Sequence, residues 1–276
     1  MRFLGVVTML ALAAPAMASP KSDPAFLGVG MDYSPGQCRI TSVVPGSGAD
    51  AAGLRTNDTI AAINGTRIES CIPQTTVTGA NLLDTIASFD RGEWVTMDVV
   101  DTRGQPRIVK VQLPSRGEII QRRFAGKRLD RVDLVTAADP TKRFELGDLR
   151  DRSAIVGWFA PACTDCAYVF GKLASHDHAA RPATLSLAIS TLTPASFEQR
   201  AADAQRLQKT IAVPLALTDQ QTFADLLVTD DTRIVFMVLD CRGVVQHVVP
   251  VVPNSDDVDA ALDELYAAAD QARMSR

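Results

Sequence analysis

Two cysteines spaced C-x-x-C, Cys163 and Cys166, carry the clearest chemistry in this 276-residue chain. They follow the apolar run Ala154-Ile155-Val156-Gly157-Trp158-Phe159 and precede a segment of helical character at 167–175. A strand that delivers such a pair to the start of a helix suits thiol–disulfide exchange. The unpaired N–H groups and positive dipole end of the helix stabilise a thiolate, and the second cysteine reaches back to resolve a mixed disulfide. A structural disulfide or half of a zinc site uses the same spacing, but no second C-x-x-C completes a four-thiolate site. A metal site completed by histidine fits poorly as well. His176 and His178 stand two apart, so in a helix they point to different faces, and His247 lies inside the strand-like run 244–249. No metal and no cofactor are expected.

Three further cysteines need placing. Cys38 and Cys71 both fall in the N-terminal half and are candidates for a structural disulfide, which the sequence leaves open because it does not supply their separation. Cys241 sits in the turn-like Asp240-Cys241-Arg242-Gly243 and reads as an incidental thiol.

The elements that position the C-x-x-C pair alternate between strand and helix. A hairpin at 132–135 and 142–146 crosses an Asp139-Pro140 turn, and 154–159 forms a buried strand. Helix, strand and helix follow at 167–175, 184–189 and 194–209. The segments 213–217, 223–227, 233–239, 244–249 and 256–268 complete the alternation. This implies an α/β unit, a mixed central sheet with helices on both faces. The first half reads differently. Short strands at 26–33, 38–44, 59–63, 94–100 and 107–113 are separated by turns, with one amphipathic segment at 80–89, giving a mostly-β (α+β) unit. Asn64-Gly65 suits a type I′ hairpin.

The run Val43-Val44-Pro45-Gly46-Ser47-Gly48-Ala49-Asp50-Ala51-Ala52-Gly53-Leu54, continued through Ile63-Asn64-Gly65, resembles the PDZ domains of bacterial envelope proteases, and the resemblance covers 25–114. Thr56-Asn57-Asp58 departs from the family's usual Pro-Gly-Asp; asparagine tolerates the left-handed conformation, so the turn is expected to survive. The resemblance implies a peptide-binding module whose carboxylate-docking loop is Phe26-Leu27-Gly28-Val29. A client's C-terminal tail would add as a strand beside it. Leu82, Leu83 and Ile86 would wall the pocket for the last ligand residue, although Leu83 and Ile86 fit core packing equally well. No protease accompanies the module: all three histidines lie in the other half, and the Gly-Ser-Gly belongs to the turn.

The second half resembles the thioredoxin superfamily over 126–270, with 144–152 similar to the lead-in of its extracytoplasmic redoxin branch. Trp158-Phe159-Ala160-Pro161-Ala162-Cys163 is similar to the active-site strand of protein disulfide isomerases. This implies Cys163 as attacking and Cys166 as resolving thiol, with Trp158, Pro161, Asp165 and Arg233 as modulating neighbours. Ala162 replaces the usual tryptophan, Gly157 replaces a buried acid or amide, and Ile234 stands where a cis-proline is usual. Arg233 beside the pair would favour a thiolate, whereas Asp165 would oppose one and place the pair on the reducing side.

Composition bounds the rest. The net charge of −4 argues against nucleic acid as a partner. Arg2, the apolar stretch 3–14 and Ala16-Met17-Ala18 read as a secretory signal peptide over 1–18, which places the protein in the periplasm. No other segment approaches the about 20 apolar residues that membrane insertion requires. The basic cluster Arg122, Arg123, Lys127, Arg128 and Arg131 reads as a solvated connector, with a linker at 115–125 and the second domain at 126–272. The expected protein is a thiol-disulfide oxidoreductase recruited to protein clients by a PDZ module and supplied by an electron donor. The alternative is a non-catalytic PDZ adaptor with a degenerate thioredoxin-like scaffold.

Overall fold

The computed structural model describes residues 24–32, 38–71, 79–129, 132–139, 141–149, 153–160, 163, 165–180, 184–191, 197–218 and 233–274. The expected leader at 1–18, the segment at 223–227, Pro140, Pro161 and Ala162 lie outside the described residues, as do the side chains of His176 and His178.

In the first half, β1 (Val29–Asp32), β2 (Arg39–Val43), β3 (Thr59–Ile63), β4 (Thr66–Ser70) and β5 (Ala80–Asn81) lie side by side in that order. The hairpin of β6 (Trp94–Val100) and β7 (Pro106–Gln112) joins through pairing of β6 with β3. Alternation along β6 buries Val95, Met97 and Val99 against Ile40, Ile60 and Ile63, as a one-sided sheet requires. Two short helices, α1 (Gly48–Ala51) and α2 (Leu82–Ala87), are capped by the side chains of Ser47 and Asn81. Asn57 and Asn64 take positive φ angles of 72° and 47°, so the turn expected at Asn57 survives without glycine and the 64–65 hairpin forms as expected. The ladder on its far side, β4, has no counterpart in the sequence pattern described above.

Residues 115–125 depart from the expected connector. Ser115 and Glu118 form a reciprocal capping box that starts a nine-residue helix, α3 (Arg116–Phe124). Its Ile119 and Ile120 are buried, and Ile120 joins the core of the second half. The basic residues Arg122 and Arg123 fall in its last turn, where cations complement the helix dipole.

The second half is built on one seven-stranded mixed sheet. In chain order its elements are β8 (Asp133–Thr136), β9 (Arg143–Glu145), a 3-10 turn (Leu146–Leu149), β10 (Ser153–Phe159), α4 (Cys166–Ala180), β11 (Thr184–Thr191), α5 (Phe197–Thr210), β12 (Leu215–Thr218), β13 (Ile234–Leu239), β14 (Val245–Val251) and α6 (Val258–Met274). The sheet order is β14-β13-β10-β11-β12-β8-β9. Strands β10, β11 and β12 are parallel, while β13 and β14 run antiparallel on the other side of β10. This parallel unit with an antiparallel hairpin and a final helix is the thioredoxin-like fold expected from the sequence.

Interior strand β10 is buried along its whole length because both faces are covered. Ile155 and Phe159 face a layer containing Val169, Phe170 and Leu173 of α4 and Leu262 and Leu265 of α6. Ala154, Val156 and Trp158 face the opposite layer, which includes Ile120 of α3, Leu134 and Met237.

Candidate functional site

Cys163 and Cys166 form a disulfide with their Cα atoms 5.5 Å apart. β10 ends at Phe159, and Cys166 is the first residue of α4, so the pair occupies the strand-to-helix junction at the end of an interior strand of the sheet. The Cys163 amide donates to the Ala160 carbonyl at 3.1 Å and the Tyr168 amide to the Asp165 carbonyl at 3.1 Å. The two sulfurs are not equivalent. Cys166 is 0% exposed within an apolar cluster, whereas Cys163 is half-buried at its margin. A reactant from solution therefore meets Cys163.

Gly157, which replaces the family's buried acid, has a packing reason. A Cβ there would collide with the rings of Phe170 and Phe236. Phe170 also contacts Phe159, with ring centroids 5.2 Å apart, and these rings belong to the buried apolar cluster that holds Cys166. Asp165 is exposed and its carboxylate accepts from the Asn254 amide at 2.7 Å. Trp158 departs from the role expected of it. Strand alternation turns its side chain to the layer opposite Cys166, where it is fully buried and its indole nitrogen has no hydrogen-bond partner among the described residues. Ile234, at the expected proline position, pairs with Phe159 and is fully buried.

The second feature is a groove of about 200 Å³ along β1 and α2. Phe26, Leu27, Gly28, Val29, Leu82, Leu83 and Ile86 all line it, so the structure brings together every residue expected of the peptide pocket. Leu82 and Ile86 are also core residues, while Leu83 is 53% exposed. Gly28 is required on two counts: its φ is +81°, and a Cβ would overlap Ser47. The Ser47 hydroxyl and the Val44 amide both donate to the Gly28 carbonyl, at 3.3 and 2.9 Å, fixing the loop against α1. β1 pairs with β2 on one side and lies at the edge of its sheet, the geometry that strand addition uses.

Residues 17–78 match the family model of the PDZ domain. A search of the curated proteins returns no match. Among solved structures, the chain is similar to the thioredoxin domain of a thiol-disulfide oxidoreductase from Bacteroides vulgatus, at 14% identity and TM-score 0.38, covering 51% of this chain and 96% of that one. It is similar to dsbF of MTB at 17% identity and TM-score 0.36, covering 52% and 97%. It also resembles the serine endoprotease from Yersinia pestis at 18% identity and TM-score 0.28, covering 34% of this chain and 30% of that protein.

Five contributors to these sites escaped the sequence. Arg116 and Arg233 line the PDZ groove, as do Met31 and Cys71. Arg233 was expected beside the thiol pair alone. The Ser115-x-x-Glu118 pattern was available to reveal α3, and hence Arg116 at its first position. Nothing local marks Asn254 as the partner of Asp165. The candidate Cys38–Cys71 disulfide does not form: both are buried thiols, and Cys71 donates to the Asp32 carbonyl at 3.4 Å. Burial, and then the hydrogen bond that Cys38 donates to Cys71, pushes the Cys38 thiol far up; burial also raises that of Cys71. Cys241 is a free thiol in its turn, and His247 contacts Glu264 at 2.7 Å. Among the described residues no group of three or more His, Cys, Asp or Glu is placed to hold a metal, and no helix is long and apolar enough to cross a membrane.

Proposed function

We propose that the protein is a thiol-disulfide oxidoreductase of the periplasm that docks client proteins by their C-terminal tails in the PDZ groove. The observation that carries this reading is the Cys163–Cys166 disulfide at the start of α4, with Cys163 half-buried and Cys166 fully buried. The expected leader supports the location. In the reduced enzyme the Cys163 thiolate attacks a client disulfide, expels one client thiolate and forms a mixed disulfide. Cys166 then loses its proton and attacks Cys163 Sγ, releasing the second client thiol. Two electrons pass to the client and the Cys163–Cys166 bond re-forms, so turnover requires a dithiol donor to return them. Cys166 is fully buried in an apolar cluster with Phe159, Phe170 and Phe236 whereas Cys163 is half-buried at its margin, which supports Cys163 as the attacking thiol.

The test is reduction of insulin with dithiothreitol as donor. Wild type should accelerate precipitation, Cys163→Ser should abolish the acceleration, and Cys166→Ser should accumulate a mixed disulfide visible by non-reducing electrophoresis. Wild type and Cys163→Ser behaving alike would leave the adaptor reading in its place.

A further inference from the structure

The Cys163–Cys166 pair does not exhaust the sulfur chemistry of the chain. Cys38 stands immediately before β2 and Cys71 immediately after β4, and both belong to the buried apolar cluster of the first half, at 3% and 4% exposure. Their contacts bring them together. Cys71 donates to the Asp32 carbonyl at 3.4 Å, and Asp32 pairs with Arg39, the neighbour of Cys38. Cys38 in turn donates its thiol proton to Cys71. The sulfurs are neighbours in the thiol form, the arrangement that a reversible disulfide needs. They are not equivalent. Cys71 lines the groove of about 200 Å³ along β1 and α2, and Cys38 does not. Burial raises both thiols, but the hydrogen bond between them pushes Cys38 further up and acts in the opposite direction on Cys71, so Cys71 is the better nucleophile of the two.

We propose that Cys38 and Cys71 form a second redox site, a dithiol in the groove wall that a hydroperoxide converts to a disulfide and that thereby controls tail docking. A hydroperoxide is small enough to enter the groove and reach a sulfur that a protein disulfide does not. The Cys71 thiolate attacks one peroxide oxygen, the O–O bond breaks and hydroxide leaves, giving a sulfenic acid on Cys71. Cys38 Sγ then attacks Cys71 Sγ, its proton leaves with the departing hydroxide as water, and the disulfide closes. Two electrons have passed from the thiols to the peroxide, which ends as two waters once the first hydroxide regains the proton that Cys71 gave up. The effect on the groove follows from β1. A disulfide sulfur has no proton to donate, so the Asp32 carbonyl at the end of the edge strand loses its tie to Cys71, and the strand that a tail would join is loosened. The dithiol chemistry stands by itself; its effect on tails rests on the docking function proposed above.

The experiment exposes the full mature chain, isolated without reductant so that Cys163–Cys166 stays oxidised, to hydrogen peroxide. After quenching with catalase and alkylation in denaturant, mass spectrometry of a digest should find the Cys38 and Cys71 peptides linked, and separate again after dithiothreitol. Cys38→Ala should instead leave on Cys71 a sulfenic acid that dimedone labels, whereas Cys71→Ala should leave Cys38 unlabelled. Fluorescence anisotropy with fluorescein-labelled heptapeptides, ending in a free Val carboxylate and varied among Ala, Ser, Val and Leu, reads the groove. Peroxide should weaken binding by wild type about three- to tenfold and leave that by Cys71→Ala unchanged. Wild type that stays unlinked, a result that needs no variant, or dimedone on Cys38 rather than Cys71, overturns the inference. Linked sulfurs with undiminished binding overturn the control of docking. Reduced wild type that binds no peptide overturns the docking function itself and leaves the second redox site to the mass spectrum.

Discussion

Asn254 donates its side-chain amide to the carboxylate of Asp165 at 2.7 Å, so the loop after β14 grips one of the two residues that stand between the cysteines in the chain. A carboxylate in that place opposes negative charge on the pair, and the amide offsets part of it. In the reduced protein, Asp165→Asn should speed alkylation of Cys163 at neutral pH and Asn254→Asp should slow it, each by about threefold. The rate of iodoacetamide alkylation of Cys163 measures both. Rates that stay together, or that move in the reverse order, would show that the carboxylate does not reach the thiolate.

Gly157→Ala should destabilise the protein by about 1–3 kcal/mol, because the added methyl must displace Phe170 or Phe236 in a closely packed layer. Urea unfolding of the oxidised protein reports the loss. Trimming Phe170 to Leu in the same chain should recover part of it; a double variant no better than the sum of the two single changes would place the strain elsewhere.

Asp240 offers a pH test. Its carboxylate is buried at the β13–β14 turn and accepts from the amides of Arg242 and Val244, at 2.8 and 3.0 Å, and from Gln246 and the Arg242 guanidinium. Burial alone would push its carboxyl up; these hydrogen bonds and the adjoining charge outweigh it and hold it below the usual range. A lowered folded-state pKa contributes stability that is present above the unfolded value of about 4 and is lost as pH falls through the folded value. Asp240→Asn should therefore cost about 1–3 kcal/mol at neutral pH and flatten the acid limb of the stability curve. Urea midpoints across the acid range, wild type against variant, check this; parallel curves would mean that the charge contributes nothing.

How much the sequence disclosed depended on how local each signal was. The C-x-x-C pair, the Asn64 hairpin, the left-handed Asn57 and the Phe26–Val29 loop are short-range patterns, and each stands where its residues require. Trp158 was misplaced because a fully buried strand has no polar face to show which way each side chain points. The connector was misjudged through its arginines: charge density outweighed the capping signal at Ser115 and the adjacent pair Ile119 and Ile120. Arg233 in the groove and Asn254 at Asp165 arise from contacts between residues far apart in the chain, which no spacing rule encodes.

Helix α3 makes the chain hard to divide. Its first residue covers Phe26 in one half, Ile120 fills the core of the other, and Gln121 reaches the Gln246 carbonyl at 3.4 Å. A cut before Ser115 strips the docking loop of its lid, and a cut after Phe124 leaves the neighbouring sheet with an unfilled socket. The two halves thus resemble boards joined by a dovetail more than beads on a string, and fragments expressed separately should be less soluble than the intact chain.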